Sequence, residues 1–102
     1  MSSQISAASI KIFDQISIRI IKEQEMIIGP LAWDEARKVA GVNIVDQANG
    51  QVSLSGDAKN ILDQLVAQYA RLFGQASTEA CKEAVQDLIV DLPQDQIPNS
   101  LR

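Results

Sequence analysis

The first segment of the chain, between Ile5 and Ile28, contains nine isoleucines and constrains the fold more than any other. Its length and its polar residues favour a helix over a strand. A competing pattern lies inside it, because Ile16, Ile18 and Ile20 alternate with polar residues as in a strand, which isoleucine favours. Five apolar residues follow the three-, four- and seven-residue steps of one helix face: Ile10, Phe13, Ile16, Ile20 and Ile27.

The isoleucines of this segment point in too many directions for a single apolar stripe, so the helix must be covered on more than one side. In a domain this small, a second chain is a natural cover. The first helix is therefore a candidate homodimer surface, with Ile16, Ile18 and Ile20 as partner-binding residues. The alternative is a central core helix covered entirely by its own chain.

Glycine and proline mark the next boundaries. Gly29-Pro30 ends the first helix and begins a second, because proline disfavours helix in the residue before it and suits the first helical position. The second helix is predicted over Pro30 to Ala40, with Gly41 closing it. Asn49-Gly50 predicts the turn of a small β-hairpin between Val42 and Leu54.

Two further helices are predicted after the hairpin. The third begins at a cap on Asp57, runs to about Phe73 and is closed by Gly74. The fourth begins at a cap on Ser77 and runs to about Asp91, before Pro93 stops it.

The predicted fold class is therefore mainly α, with four helices and a small β-hairpin between helices 2 and 3. The chain has 102 residues, enough for one hydrophobic core and too few for two. We expect a single helical domain over residues 1–93 and a polar C-terminal tail over 94–102.

The absence of histidine and the positions of the glycines argue against catalysis and against a bound cofactor. Histidine is absent, which removes the usual general base and the commonest ligand of zinc and haem. Each of the five glycines lies at an element boundary, so none forms a phosphate-binding loop. We expect no catalytic residues, no cofactor-binding residues, no metal ligands and no enzyme activity.

The single cysteine, Cys81, cannot form an intramolecular disulfide. Because the sequence also shows neither a secretory signal nor an uninterrupted apolar span, we expect a cytoplasmic protein without membrane contact. Cys81 falls on the apolar side of helix four, which favours a small buried core residue over a reactive thiolate.

The net charge of the chain and the arrangement of its carboxylates limit the kinds of partner that it can bind. The net charge is -4 and no basic run exists, so the electrostatic footprint of nucleic-acid binding is missing. Carboxylates recur every four residues along one side of helix four, and they form either a docking strip for a basic partner or an ordinary solvated face. This acidic strip consists of Glu79, Glu83, Asp87 and Asp91.

Two further features have alternative interpretations. Trp33, in the first turn of helix two, is either an exposed interface anchor or the largest piece of a core short of aromatics. The segment from Asp46 to Ser53 has some oxygen ligands of a calcium loop, but their spacing fails, and a hairpin turn is favoured.

The segment Glu25-Met-Ile-Ile-Gly-Pro-Leu-Ala32 resembles an Ile-Gly-Pro-Ile-Ala-like element of small helical domains of unknown function. Those domains are appended to bacterial signalling proteins, including some with roadblock-type GTPase-regulator modules or kinases. The similarity covers about eight residues, and the chain departs from the pattern at Gly41 and at the Asn49-Gly50 hairpin. The resemblance implies a signalling accessory and supplies no active site.

These observations lead to two hypotheses. The first is a non-catalytic protein–protein interaction and oligomerisation module, a homodimer acting in bacterial signalling or assembly. The alternative is a small-molecule-binding sensor domain with an apolar pocket between helix one and the hairpin, its ligand unknown.

Overall fold

The structure, a computed structural model, describes the backbone of residues 2–102 and the side chains of residues 12–102. The fold is mainly helical and confirms four helices with a two-stranded antiparallel hairpin between the second and the third. The elements are α1 (Ser2–Ile28), α2 (Leu31–Arg37), β1 (Val42–Asp46), β2 (Gln51–Leu54), α3 (Ala58–Phe73) and α4 (Gln75–Ile89). Two short 3-10 turns follow, at Gln94–Gln96 and Asn99–Leu101.

The isoleucine-rich segment is helical along its whole described length, and α1 is the central element of the fold. It packs against α2, α3, α4 and β2. Ile16, Ile20 and Ile21 are completely buried. The strand preference of isoleucine is overridden because the helical spacing places these side chains on the side of α1 that its neighbours cover.

The junction between α1 and α2 is a two-residue turn at Gly29-Pro30, as predicted. Gly29 has a φ of +74° and donates its N–H to the Glu25 carbonyl at 2.8 Å. The second helix is shorter than expected and ends at Arg37. After the helix ends, the backbone forms two hydrogen bonds of the 3-10 type, from the Lys38 N–H to the Glu35 carbonyl and from the Val39 N–H to the Ala36 carbonyl. This tighter turn leads to Gly41.

The hairpin is present as predicted, and its strands pair Val42 with Leu54 and Ile44 with Val52. Its turn is held by the Asp46 carboxylate, which accepts a hydrogen bond from the Asn49 side chain at 2.6 Å. The hairpin is attached to α1 where the Asp14 carboxylate accepts the Leu54 N–H at 3.0 Å. This contact matters because an isolated hairpin is marginally stable.

A cap on Asp57 begins α3, and its carboxylate accepts the Asn60 N–H. The prediction that Ser77 caps α4 is wrong, since the helix already begins at Gln75. Gly74, with a φ of +86°, reverses the chain in one residue. Ser77 consequently lies inside the first turns of α4 and is buried.

The last nine residues differ from the expected polar tail. Leu101 is only 1% exposed, and Ile97 and Pro98 are also buried. The Ser100 N–H and hydroxyl both donate to the Asp63 carboxylate of α3, at 3.0 and 2.6 Å. Residues 94–102 therefore help to close the core, because the second 3-10 turn packs against both α3 and α4.

Candidate interaction surface

Exposed apolar side chains are concentrated at one end of the helical domain. Seven large apolar side chains are exposed in the described part of the chain, and five of them lie at the end formed by the α1–α2 and α3–α4 junctions. We call these five residues the apolar end surface: Met26, Ile27, Leu31, Leu72 and Phe73, with exposed fractions of 84, 59, 44, 49 and 37%.

Two hydrogen bonds bring these junctions together. The Tyr69 hydroxyl donates to the Ala32 carbonyl at 2.6 Å, which fixes the last turns of α3 beside the start of α2. The Gln24 side-chain amide donates to the Ser77 carbonyl at 3.3 Å, which fixes the last turns of α1 beside the start of α4. Both helix junctions therefore lie at the same end.

The end surface exists because two apolar stripes continue beyond the core. Leu72 and Phe73 follow buried Tyr69 at helical spacing, and Ile27 lies seven residues after buried Ile20. No later element covers them, so side chains from core-facing stripes remain half exposed. Apolar patches on monomeric proteins are typically about 300–600 Å² at their largest and are often functional.

The sequence did not single out this surface. Helical periodicity places Leu72 and Phe73 on the same stripe as the core residues of α3. Their position in the last turn before Gly74 was the available signal, since a stripe at a helix end is covered only when another element passes over it.

The isoleucines predicted to bind a partner lie elsewhere. Ile16 and Ile20 are completely buried within the single chain, and Ile18 is half-buried. They cannot form a docking surface in this structure, because α3, α4, α2 and β2 already cover α1. For Ile16 and Ile20 the structure therefore favours the alternative interpretation, a central core helix covered by its own chain.

Trp33 is 1% exposed and belongs to the core. Its indole N–H donates to the Glu25 carboxylate at 2.8 Å, so the buried polar atom has a partner. Of its two interpretations, the structure favours the core residue over the exposed anchor.

All four carboxylates of the acidic strip are exposed, but only Glu79, Glu83 and Asp87 lie on α4, because the helix ends at Ile89, before Asp91. Asp87 forms a bidentate ion pair with Arg19 of α1, with nitrogen–oxygen distances of 2.8 and 3.2 Å. The hydrogen bonds from this guanidinium lower the pKa of Asp87. Glu79 lies 3.5 Å from the Lys82 ammonium. Since two of the four charges have cationic neighbours, the strip attracts a basic partner less than its sequence suggests.

Cys81 is completely buried, and burial raises its pKa to about 11. The thiol is therefore protonated at neutral pH and unsuited to nucleophilic chemistry. The Gln24 amide nitrogen lies 3.4 Å from the Cys81 sulfur, while the Gln24 Oε1 atom is buried and has no hydrogen-bond partner among the described residues.

Next to the end surface, Glu35 of α2 is buried, and both of its carboxylate oxygens accept hydrogen bonds. It accepts hydrogen bonds from Lys38 at 2.9 Å and from Gln68 of α3 at 2.7 Å. These donors lower the pKa of Glu35. This carboxylate ties α2 to α3 and helps to hold Leu31 and Leu72 in place.

Two depressions bear on small-molecule binding. The larger, about 740 Å³, lies between α1, α2 and the hairpin turn, where an apolar pocket was expected, but polar groups form most of its wall. A more apolar depression of about 340 Å³ lies between the end of α4 and the C-terminal segment, with Ile89, Ile97 and Leu101 in its wall. Among the described residues, no group of three or more acidic or cysteine side chains is arranged to hold a metal ion.

No family model, curated protein or solved structure matches the chain. In the part of the chain that the structure describes, none of the helices combines the length and apolar character that a membrane span requires.

Proposed function

We propose that the chain is a non-catalytic interaction and oligomerisation module, and that it binds a second copy of itself through the apolar end surface. The observation that carries the proposal is the collection of five exposed apolar side chains from three helices at one end of the domain. Leaving these side chains in water is unfavourable, and their association removes that cost.

The size of the surface suits a pair of copies. Two such surfaces placed face to face would bury on the order of 1,000 Å² in total, the lower size for a specific interface. A two-fold axis brings the same patch of each protomer together, and an apolar patch is complementary to itself. We therefore expect a reversible homodimer of moderate affinity.

Charges at the rim are compatible with this arrangement. Arg71 precedes Leu72 on α3, and Glu23 lies one turn before Ile27 on α1. Each copy thus offers both a cation and an anion near the rim of its end surface. A two-fold dimer does not have to bring like charges together.

The absence of catalysis is part of the proposal and has chemical support. The sequence contains no histidine, and the two carboxylates with lowered pKa have structural partners. Asp87 forms an ion pair with Arg19 that connects α4 to α1, and Glu35 pairs with Lys38 and accepts a hydrogen bond from Gln68 of α3. The bacterial signalling setting is supported by the resemblance of residues 25–32, the segment that also supplies Met26, Ile27 and Leu31. The proposed cytoplasmic location is supported by the single cysteine, which cannot form an intramolecular disulfide.

Sedimentation velocity over about a hundredfold range of concentration tests the proposal. We expect a monomer–dimer equilibrium for the wild-type chain and a folded monomer for the Ile27→Lys/Leu72→Glu variant. Val45→Glu and Val90→Glu are matched controls, because both residues are exposed apolar side chains outside the end surface. They should dimerise like wild type.

A wild-type chain that stays monomeric at every concentration contradicts the proposal, as does a dimer that survives in the Ile27→Lys/Leu72→Glu variant. Circular dichroism and thermal melting check that each variant is folded. Ile16→Glu/Ile20→Glu should unfold instead of giving a folded monomer, since both residues are core side chains.

A further inference from the structure

The depression of about 740 Å³, called the polar cavity below, borders the core at Trp33 and is bounded by three elements. Helix α1 contributes Lys22 and Glu25, α2 contributes Trp33, and the hairpin turn contributes residues 47–50. Ligand sites typically occupy about 300–1,000 Å³ and contain a few fixed polar groups. The cavity is within this range.

Two opposite charges face the cavity from successive turns of α1. Lys22 and Glu25 are three residues apart and therefore lie on neighbouring positions of the helix surface. Neither takes part in an ion pair among residues 12–102, although four ion pairs form elsewhere in that range. The cavity therefore offers one ammonium and one carboxylate.

The carboxylate is held in place by a buried group. The Trp33 indole N–H donates to the Glu25 Oε2 atom at 2.8 Å, and Trp33 itself is 1% exposed. Because the indole is fixed in the core, the orientation of Glu25 is fixed with it. This arrangement reduces the ordering cost of binding a cation there.

The ammonium is supported by the hairpin turn. Gly50 has a φ of +65° and is buried beneath the Lys22 side chain. A Cβ atom at residue 50 would lie 2.6 Å from the Lys22 Cε atom, so glycine allows Lys22 to lie across the turn. The turn is closed by the hydrogen bond from the Gly50 N–H to the Gln47 carbonyl at 3.1 Å.

The geometry points to a binding site for a small zwitterion, in the simplest case a free α-amino acid, with its carboxylate at Lys22 and its ammonium at Glu25. A ligand with only one charge would pair with one of these two residues and leave the other without an opposite charge. A zwitterion pairs with both, which gives selectivity for molecules that carry both groups.

Trp33 provides a direct probe, because it is the single tryptophan of the chain. Its fluorescence should change in a saturable manner when free α-amino acids are titrated individually into the protein. For the amino acid that binds best, the N-acetyl derivative lacks the ammonium and the amide derivative lacks the carboxylate. Each derivative should bind at least tenfold more weakly.

Substitutions at the two charges test the assigned contacts. We expect Lys22→Gln and Glu25→Gln to weaken binding at least tenfold, and Glu25→Gln retains an acceptor for the Trp33 N–H. Lys82→Gln and Glu79→Gln are matched controls, since they remove an exposed charge pair on α4 and should leave the affinity unchanged.

A lack of saturable response to every common amino acid at concentrations up to about 10 mM would overturn the inference. The inference would also be overturned if the N-acetyl and amide derivatives bound as tightly as the free amino acid. Undiminished binding of the amino acid by Lys22→Gln and Glu25→Gln would do the same. Repeating the titration in the Ile27→Lys/Leu72→Glu variant separates this site from self-association, because that variant leaves the cavity residues intact.

Discussion

The Tyr69 hydroxyl donates a 2.6 Å hydrogen bond to the backbone carbonyl of Ala32, and this bond joins the last turns of α3 to the start of α2. Tyr69 is completely buried, and burial raises its pKa above the ordinary value for tyrosine. The phenol is therefore neutral at physiological pH and serves as a structural donor. The positions of Leu31 and Leu72 on the end surface depend on this link.

Tyr69→Phe removes the hydrogen bond while keeping the ring. We expect a loss of about 1 kcal/mol in the free energy of unfolding, the usual net value of one buried hydrogen bond. Urea denaturation followed by circular dichroism measures it. An unchanged midpoint would show that the bond contributes nothing to the α2–α3 contact.

Gln24→Met should stabilise the protein by up to about 1 kcal/mol, because it removes the buried Oε1 atom that has no hydrogen-bond partner. Methionine is also flexible enough to fill the same space. Gln15→Met is the control, since Gln15 is exposed and its replacement should change stability little. A clear loss of stability in Gln24→Met would mean that the bonds of Gln24 to α4 outweigh the unsatisfied oxygen.

Gly41→Ala and Gly29→Ala separate the two costs of replacing these glycines, which are backbone strain at positive φ and steric overlap of the added Cβ atom. Both residues have positive φ, +93° and +74°. Apart from residues 28–30, no described residue has a heavy atom within 4 Å of a Cβ placed at Gly29, so this variant should lose only about 1 kcal/mol from backbone strain.

At Gly41 the added Cβ would also lie 2.5 Å from the Ile61 Cδ1 atom and 2.9 Å from the Ser55 carbonyl oxygen. We therefore expect Gly41→Ala to lose about 2 kcal/mol more than Gly29→Ala in the free energy of unfolding. Equal losses in the two variants would show that the β2 end and α3 move apart easily at this point.

Leu101→Ala tests whether the C-terminal segment belongs to the core. The side chain is 1% exposed, and its truncation should cost about 3 kcal/mol through lost burial and a remaining cavity. Val90→Ala is the control, because Val90 is 71% exposed. If both variants melt at the wild-type temperature, residues 94–102 do not contribute to the folded core in solution.

The buried thiol should make stability depend on alkaline pH. The pKa of Cys81 is raised from 9.0 to about 11, so the folded state holds the thiol proton more tightly than the unfolded state does. This contribution to stability is complete below about pH 9 and is lost as the pH rises through 11, by about 3 kcal/mol at most.

Comparing wild type with Cys81→Ala isolates this effect from the ionisation of Tyr69, which is common to both proteins. Their difference in the free energy of unfolding should shrink between pH 9 and pH 11. A constant difference over this interval would indicate that the thiol does not ionise on unfolding in the way that we describe.

The sequence by itself determined the kind and order of the elements. Three of the boundaries follow from local chemistry: Gly29-Pro30 turns the chain, Asn49-Gly50 closes the hairpin, and Asp57 caps α3. The end of α2 and the start of α4 differ from the positions that local signals predicted. Such signals act over a few residues and need no knowledge of the rest of the molecule. The isoleucine content of α1 likewise showed that this helix is covered on several sides.

Only the tertiary structure decided what covers each apolar face. Ile16 and Ile20 are enclosed by other parts of the same chain, while Leu72 and Phe73, with equally regular spacing, remain half exposed at the helix end. Leu101, in a segment that looks polar, fills part of the core. Helical periodicity specifies a face but not its neighbour, because burial depends on where distant segments cross, and that arrangement is set by the packing of the whole chain.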